Sequence, residues 1–424
     1  MPNENIKLGA NHIWLPYTQM LNHLPQLEVL KTKGSKIYLK NGKILIDGIS
    51  SWWAVSHGYN HPHIIKNLIK QAKILPHIML AGFANDATYE LSHRLAKFCE
   101  MDKVFFSDSG STAIEVAMKM AWQYHFNCGN IARKKFISFK NSYHGDTTGA
   151  MSLADLQSGM HQKFSNLLIE NYCLDLPKNL TDFEFFENFL GEKKLEIAGI
   201  FIEPIVQCAG GMKFHSPQIL EKIFELAKKY EILTIIDECA TGFYRTGKKF
   251  AFKHTKYHPD ILTVGKALTG GFMGLSATLT SNKIFEKFLD NSLDKALMHG
   301  PTFMGNALAC ACANASLDLF EKENYQEKVA KIEKILQKNL QNFKKFKKVK
   351  EVRAIGAIGV IEIQTNWEEI KLLRQKFVEK GIFLRPFGNV VYIMPPLTIS
   401  TKDLMLILKA THEIINEFNS KFAR

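Results

Sequence analysis

TIIDECATGFYRTG, residues 234–247, drives a β-favouring apolar run straight into two carboxylates. TVGKALTGG, residues 263–271, drives a second short apolar run into a lysine set among glycines. A strand that ends in Asp237 places a charge where burial is costly unless a cation or hydrogen-bond donors meet it. Lys266 stands between Gly265 and Ala267, with Gly270 and Gly271 beyond, so little bulk crowds its amine. Such a lysine can form a Schiff base with a carbonyl compound and then carry protons. The plainer alternatives are an exposed loop lysine and an aspartate that caps a helix or joins a salt bridge.

Outward from these two stretches the same texture repeats. KVFFSDSG (103–110), KKFISFKNSYHG (134–145), LEIAGIFIEPIV (195–206), ILTIIDE (232–238) and DILTVGK (260–266) are short β-branched or aromatic runs. Helical or loop segments separate them, among them HIIKNLIKQAKI (63–74) and STAIEVAMKMAWQYHF (111–126). The alternation predicts an α/β fold with a mostly parallel sheet covered by helices on both faces. Ligands in such sheets bind beyond the carboxyl ends of the strands. Residues 1–60 read as an arm carrying short strands, with a turn at Asn41-Gly42, that belongs with a smaller domain. Residues 61–310 read as the large domain and 311–424 as an α+β C-terminal domain, with helices over 316–347.

Composition narrows the function. The 424 residues are 46% hydrophobic with a formal net charge of +13. No apolar run is long enough for a membrane span, and the N-terminus has no signal-peptide pattern, so a cytoplasmic location is expected. The seven cysteines include no CxxC pair and no zinc spacing, which predicts reduced thiols and no metal. The lysines are scattered, and KKFKKVK (344–350) reads as a solvated helix face rather than a nucleic-acid surface. With only seven arginines in the chain, each one in an apolar or glycine-rich setting is of interest.

The residues after each apolar run supply further chemistry. A buried carboxylate at Asp237 would keep the ring nitrogen of pyridoxal phosphate protonated, as that cofactor's electron-sink chemistry requires. In DSGSTAIEVAM (108–118), Gly110 permits close backbone approach and Ser111 offers a hydroxyl. Thr112 and Glu115 have capping-box spacing at the start of the next helix, and a helix N-terminus suits a phosphate. Tyr143, in NSYHGDTTGAMS (141–152), could stack on a flat ring. His144 reads as a structural histidine or ordinary loop packing.

The order of SDSGSTAIEVAMKMA, SYHGDTTGAMS, FIEPIVQCAGGM, IIDECATGFYRTG, TVGKALTGG and HGPTFMGNALACA, with 29 residues from Asp237 to Lys266, resembles the class III aminotransferases. These are fold-type I, pyridoxal-phosphate-dependent enzymes. The likeness runs from about residue 15 to 400 and is specific as a set, though each motif alone is not. It implies a homodimer with sites at the subunit interface. Gly110 and Ser111 would hold the phosphate, Pro301 and Thr302 would come from the other subunit, and Asp237, Tyr143 and Lys266 would act in catalysis. Cys208 and Cys239 depart from the family pattern, at positions without an assigned role.

WLPYTQM (14–20), SSWWAVSHGYNHP (50–62), FYRTG (243–247) and GIFLRP (381–386) refine the resemblance. They imply 8-amino-7-oxononanoate as acceptor and S-adenosylmethionine as donor, with Tyr17, Trp52, Trp53, Tyr143, Lys266, Gly300 and Arg385 contacting substrate. Aromatic surface suits a long methylene chain, and Arg385 suits its carboxylate. Paired tryptophans also read as core, and Arg385 as a structural ion pair. Lysine as donor, and an aminomutase, racemase or decarboxylase on the same fold, remain open alternatives.

Overall fold

Sheets form where β-branched and aromatic residues cluster. The computed structural model describes residues 4–156 and 159–421. The first strands are β1 (Val29–Lys33), β2 (Lys36–Leu39), β3 (Ile44–Asp47), β4 (Lys103–Ser107), β5 (Lys135–Phe139) and β6 (Tyr172–Leu174). Next come β7 (Ile197–Ile202), β8 (Val206–Gln207), β9 (Lys213–Phe214), β10 (Leu233–Asp237), β11 (Ile261–Val264) and β12 (Ser276–Thr280). The last are β13 (Val349–Ile355), β14 (Ile358–Ile363), β15 (Ile382–Phe383) and β16 (Val390–Ile393).

The central sheet has seven strands in the order β4-β12-β11-β10-β7-β5-β6. β12 is antiparallel to both neighbours, while β10, β11, β7, β5 and β6 pair in parallel. Every residue of β7, β10, β11 and β12 is buried, as strands covered on both faces require. The fold is thus the mostly parallel α/β arrangement expected. β12 (SATLT) went unread because its alternation of small and hydroxyl-bearing residues lacks a strong apolar signal.

A second sheet, β1-β2-β3-β15, joins the N-terminal hairpin to a strand from near the C-terminus. The hairpin turns at Asn41-Gly42, where Gly42 has φ +83° and the Asn41 Oδ1 accepts from the Lys43 amide at 3.0 Å. A third sheet, β13-β14-β16, follows. KKFKKVK is not a helix face: it follows the short 3₁₀ turn Gln341–Phe343 and runs into β13. Phe346 is buried there while Lys344, Lys345 and Lys347 face solvent, so Phe346 anchors a solvated turn.

The helix Ala307–Lys322 is largely Ala, Cys and Ser on its buried surface and lies against the helices Pro62–Ala72 and Asp86–Cys99. Small side chains permit that close approach, and Cys310 and Cys312 serve as compact apolar residues. All seven cysteines are free. Among the described residues no helix is long and apolar enough to cross a membrane.

Phe320, near the end of that helix, centres a ring cluster. Its centroid lies 5.3 Å from Phe243, 6.3 Å from Phe98, 4.8 Å from Tyr325 and 4.3 Å from His57. Such a site cannot collapse after truncation without disturbing several rings. Phe320→Ala is expected to cost about 3–5 kcal/mol, read as a lowered midpoint in chemical denaturation with unchanged slope.

Candidate active site

Asp237 closes β10 and is fully enclosed. Its Oδ1 accepts from the Cys239 amide at 3.0 Å and the Thr263 hydroxyl at 3.4 Å, and its Oδ2 pairs with His144 Nδ1 at 2.8 Å. Burial pushes the Asp237 carboxyl up, but the hydrogen bond and charge of His144, with the charge of Lys266, hold it below the usual carboxylate range. Burial likewise opposes charge on His144, and Asp237 outweighs it, raising the imidazole. The pair is a charged couple in the dry interior. His144 Nε2 lies buried with no hydrogen-bond partner among the described residues. The reading of His144 as a packing residue is therefore incomplete: it holds Asp237.

Glu203 follows β7 and ties two strand ends together. Its Oε2 accepts from the Tyr143 amide at 3.1 Å and its Oε1 from the Cys208 amide at 3.0 Å. Burial raises its carboxyl to about 7, against the opposing charge of His144. Cys208 thus contributes a backbone donor, and its thiol lies near the Val206 carbonyl.

Lys266 follows β11 in the left-handed region, at φ +43°, a conformation that non-glycine residues hold only where surrounding structure imposes it. Its Nζ stands 5.2 Å from the centroid of Trp53. Beyond it, Gly271 has φ +85°, and a Cβ there would meet Val55 at 2.7 Å, so the loop turns back against that residue.

The phosphate-sized feature lies at the start of the helix Gly110–Asn127. The capping box uses Ser109 and Thr112, not Thr112 and Glu115: the Thr112 amide donates to Ser109 Oγ and the Ser109 amide to Thr112 Oγ1. Glu115 accepts instead from the Gly149 amide at 2.9 Å. The N-cap is Ser109, three residues earlier than the Thr112–Glu115 spacing suggests, so the box shifts with it. Ser276, first in β12, donates to the Ser109 carbonyl at 2.6 Å and fixes this loop to the sheet. A Cβ on Gly145 would stand 2.2 Å from the Ser111 Cβ, so the Tyr143–His144 loop lies directly against the helix start. First-turn amides, a serine hydroxyl, a buried anion and an unhindered lysine together match what pyridoxal phosphate needs at its phosphate, ring nitrogen and aldehyde.

The remaining wall is aromatic and cationic. Tyr17 donates to Asp146 Oδ2 at 2.5 Å and lies 3.1 Å from the Tyr143 hydroxyl, while His161 Nε2 reaches Asp146 Oδ1 at 3.0 Å. Burial, then the Asp146 bond, push the Tyr17 hydroxyl up to about 12. The tryptophans divide the two readings between them: Trp53 is 8% exposed and Trp52 is 41% exposed. Trp52 meets Tyr17 edge-on at 6.2 Å and lies 5.0 Å from the Arg385 guanidinium. Both belong to Ser50–Trp53, whose φ values of 51°, 47°, 56° and 75° make a left-handed turn of four non-glycine residues. Each such residue costs roughly 1–2 kcal/mol.

Arg385 joins no ion pair among the described residues, so the reading of a structural salt bridge finds no partner there. It borders a cavity of about 1140 Å³ that Tyr17, Leu24, Trp367 and Arg374 also line. Arg374 donates from Nε and Nη2 to the Pro386 carbonyl at 2.9 and 2.7 Å, gripping the residue next to Arg385. Burial, then the charge of Arg385, lower Arg374 to about 10.

Gly300, Pro301 and Thr302 stand apart. Gly300 and Thr302 are exposed, and no described contact joins any of the three to Lys266, Asp237 or Ser111 within the chain. Sequence reasoning also missed Glu203, Asp146, Arg245 and Arg374. Glu203 could have been collected by the strand-end rule, and Arg245 by the scarcity of arginine. Arg245 is 2% exposed and donates from Nη1 to the Pro395 carbonyl at 2.7 Å, fastening FYRTG to the segment after β16.

Comparison with known proteins places this geometry. Residues 18–415 match the family model described as aminotransferase class-III. The chain is 42% identical to the adenosylmethionine-8-amino-7-oxononanoate aminotransferase of Buchnera aphidicola subsp. Schizaphis graminum, with 98% of each chain covered. Its fold is similar to the crystal structure of the enzyme of that name from Methanocaldococcus jannaschii, with TM-score 0.92, 34% identity and coverage of 98% and 99%. An amine transaminase from an uncultivated Pseudomonas species, solved in its PLP-bound form, aligns with TM-score 0.89 at 27% identity, with 96% of this chain and 98% of that one covered. With its anion and lysine at adjacent strand ends and a family model spanning nearly its whole length, the chain belongs to the class III aminotransferases.

Proposed function

We propose that the chain transfers an amino group from S-adenosylmethionine to 8-amino-7-oxononanoate, giving 7,8-diaminononanoate for biotin synthesis, with pyridoxal phosphate at the C-terminal edge of the central sheet. The observation that carries this reading is the buried Asp237–His144 couple within reach of the charge of Lys266, in a chain so similar over its full length to aminotransferases of that name. Pyridoxal phosphate, when bound, supplies the electron sink that makes a substrate α-proton removable. Asp237 holds a proton at the ring nitrogen, and His144 keeps Asp237 anionic and oriented. Lys266 Nζ would hold the cofactor and would take and return the substrate's proton. Gly110 and Ser111 receive the phosphate, and Tyr143 offers a ring face beside it.

Donor and acceptor take the same pocket in turn, in a ping-pong sequence. Trp52 and Tyr17 cover methylenes of the acceptor and face the cationic sulfonium of the donor. Arg385 pairs with the acceptor's carboxylate. The strand pairing of β3 with β15 supports residues 1–60 and 311–424 forming the smaller domain against a cofactor-binding domain over 61–310.

The same reading makes the active species a homodimer. Exposed Trp14, Leu21, Met298 and Phe303 offer apolar surface, and Pro301 and Thr302 stand free to serve a neighbour's phosphate.

Purified enzyme given 8-amino-7-oxononanoate should form the diamine, detected by mass spectrometry, with S-adenosylmethionine and not with lysine. The reverse result would replace the donor. Lys266→Ala should abolish turnover and leave the circular dichroism unchanged; near-normal steady-state rates would overturn its role. Asp237→Asn should lower kcat by about 10²-fold or more while cofactor content, measured after gel filtration, stays near one per chain. Chains carrying Lys266→Ala and chains carrying Thr302→Ala should regain activity when mixed and exchanged, because one site of each mixed dimer is then intact. A fully active monomer in light scattering would refute sharing.

A further inference from the structure

Asp47 lies at the end of β3, wholly buried, and spends its carboxylate on the left-handed turn that follows. Oδ1 accepts from the amides of Ile49 at 2.8 Å and Ser50 at 3.0 Å. Oδ2 accepts from the Ser51 amide at 3.2 Å and the Tyr59 hydroxyl at 2.7 Å. Tyr59 in turn receives the Ser51 hydroxyl at 2.6 Å, and the Ser50 hydroxyl donates to the Met394 carbonyl at 2.7 Å. Three successive amides converging on one carboxylate is what a left-handed turn of L-residues requires, since the conformation is unfavourable for each of them. The turn has no glycine to sustain it.

The turn's product is the placement of two indoles. It sends Trp53 inward, beside the Lys266 ammonium, and Trp52 outward, against Arg385 and Tyr17. We propose that Asp47 is a positioning residue for the reaction: its carboxylate sets the turn that aims Trp52 at the substrate-carboxylate arginine and Trp53 at the reactive lysine. Asp47 touches neither lysine nor arginine through any described hydrogen bond, so its effect reaches the site through the two tryptophans. The substrate assignment rests on the function proposed above; the placement of the indoles does not.

Asp47→Asn keeps the shape but turns an amide N–H toward the Ser51 amide and Tyr59, two donors that then lose their acceptor. The expected result is a KM for 8-amino-7-oxononanoate raised tenfold or more, with kcat changed less than threefold. In a Trp52→Ala background the same substitution should add less than twofold, because its route to the acceptor is already removed. Tyr59→Phe, a milder loss from the same carboxylate, should raise that KM about threefold, and it decides the matter where Asp47→Asn fails to fold. Acrylamide quenching of indole fluorescence supplies a readout independent of substrate. The quenching constant should rise in Asp47→Asn, and it should still rise when Trp52→Phe is present in both proteins being compared, because the buried Trp53 then reports the same turn. Unchanged KM and quenching in the folded variants, or effects of Asp47→Asn and Trp52→Ala that multiply, would overturn the proposal. Failure of the wild-type enzyme to use 8-amino-7-oxononanoate would overturn the substrate assignment, and the quenching comparison would still decide the role of Asp47.

Discussion

An anion held in the dry interior at the end of β10 sets the terms for everything around it. Solvent cannot stabilise Asp237, so the fold surrounds it with partners drawn from three segments: the Cys239 amide after β10, the imidazole of His144 after β5, and the Thr263 hydroxyl and nearby charge of Lys266 at the end of β11. All of these groups lie at the same edge of the sheet, Thr263 within β11 and the others just beyond strand ends. That common edge exists because β5, β7, β10 and β11 run in parallel. Glu203 then locks two of the loops to one another through their amides. The result is a rear wall whose groups are held by hydrogen bonds to one another.

The opposite wall has a different character. Tyr17, Trp52 and Arg385 come from the arm, the left-handed turn and the segment after β15, and all are at least partly exposed. They meet through ring edges and a guanidinium over an indole, contacts that tolerate small displacements. A hydrogen-bonded chemical half and a looser recognition half would suit the two-substrate pocket proposed above.

The rear wall was legible in the sequence because its causes are local. Apolar runs mark the strands, and the residue after each run falls at the sheet edge; Asp237, Lys266, Tyr143 and Ser111 could all be collected that way. The left-handed turn was not legible, since SSWW carries no glycine and its stabilising carboxylate lies outside the turn in β3, with Tyr59 beyond it. For the same reason Trp52 and Trp53 could not be told apart as wall and core. β12 escaped notice because its direction and burial are set by its partners rather than its composition. Among the described residues Gly300, Pro301 and Thr302 make no contact with Lys266, Asp237 or Ser111, so one chain's contacts assign them no part in the site.

The pairing of Ile382 with Ile46 joins parts of the chain that emerge from the ribosome at opposite times. During synthesis the hairpin β2–β3 has an unpaired edge until almost the last strands are made, and Arg385 becomes available only with them. Ser276 must likewise wait to meet Ser107 on the neighbouring strand, because most of the large sheet lies between them in sequence. Contacts of such high sequence separation pay their loop-closure entropy late and make folding slow. The recognition wall can therefore close only after translation is nearly complete, because Arg385 and β15 are made late. Truncation near the C-terminus would consequently leave an exposed strand edge on an otherwise formed N-terminal sheet, the kind of surface that seeds aggregation.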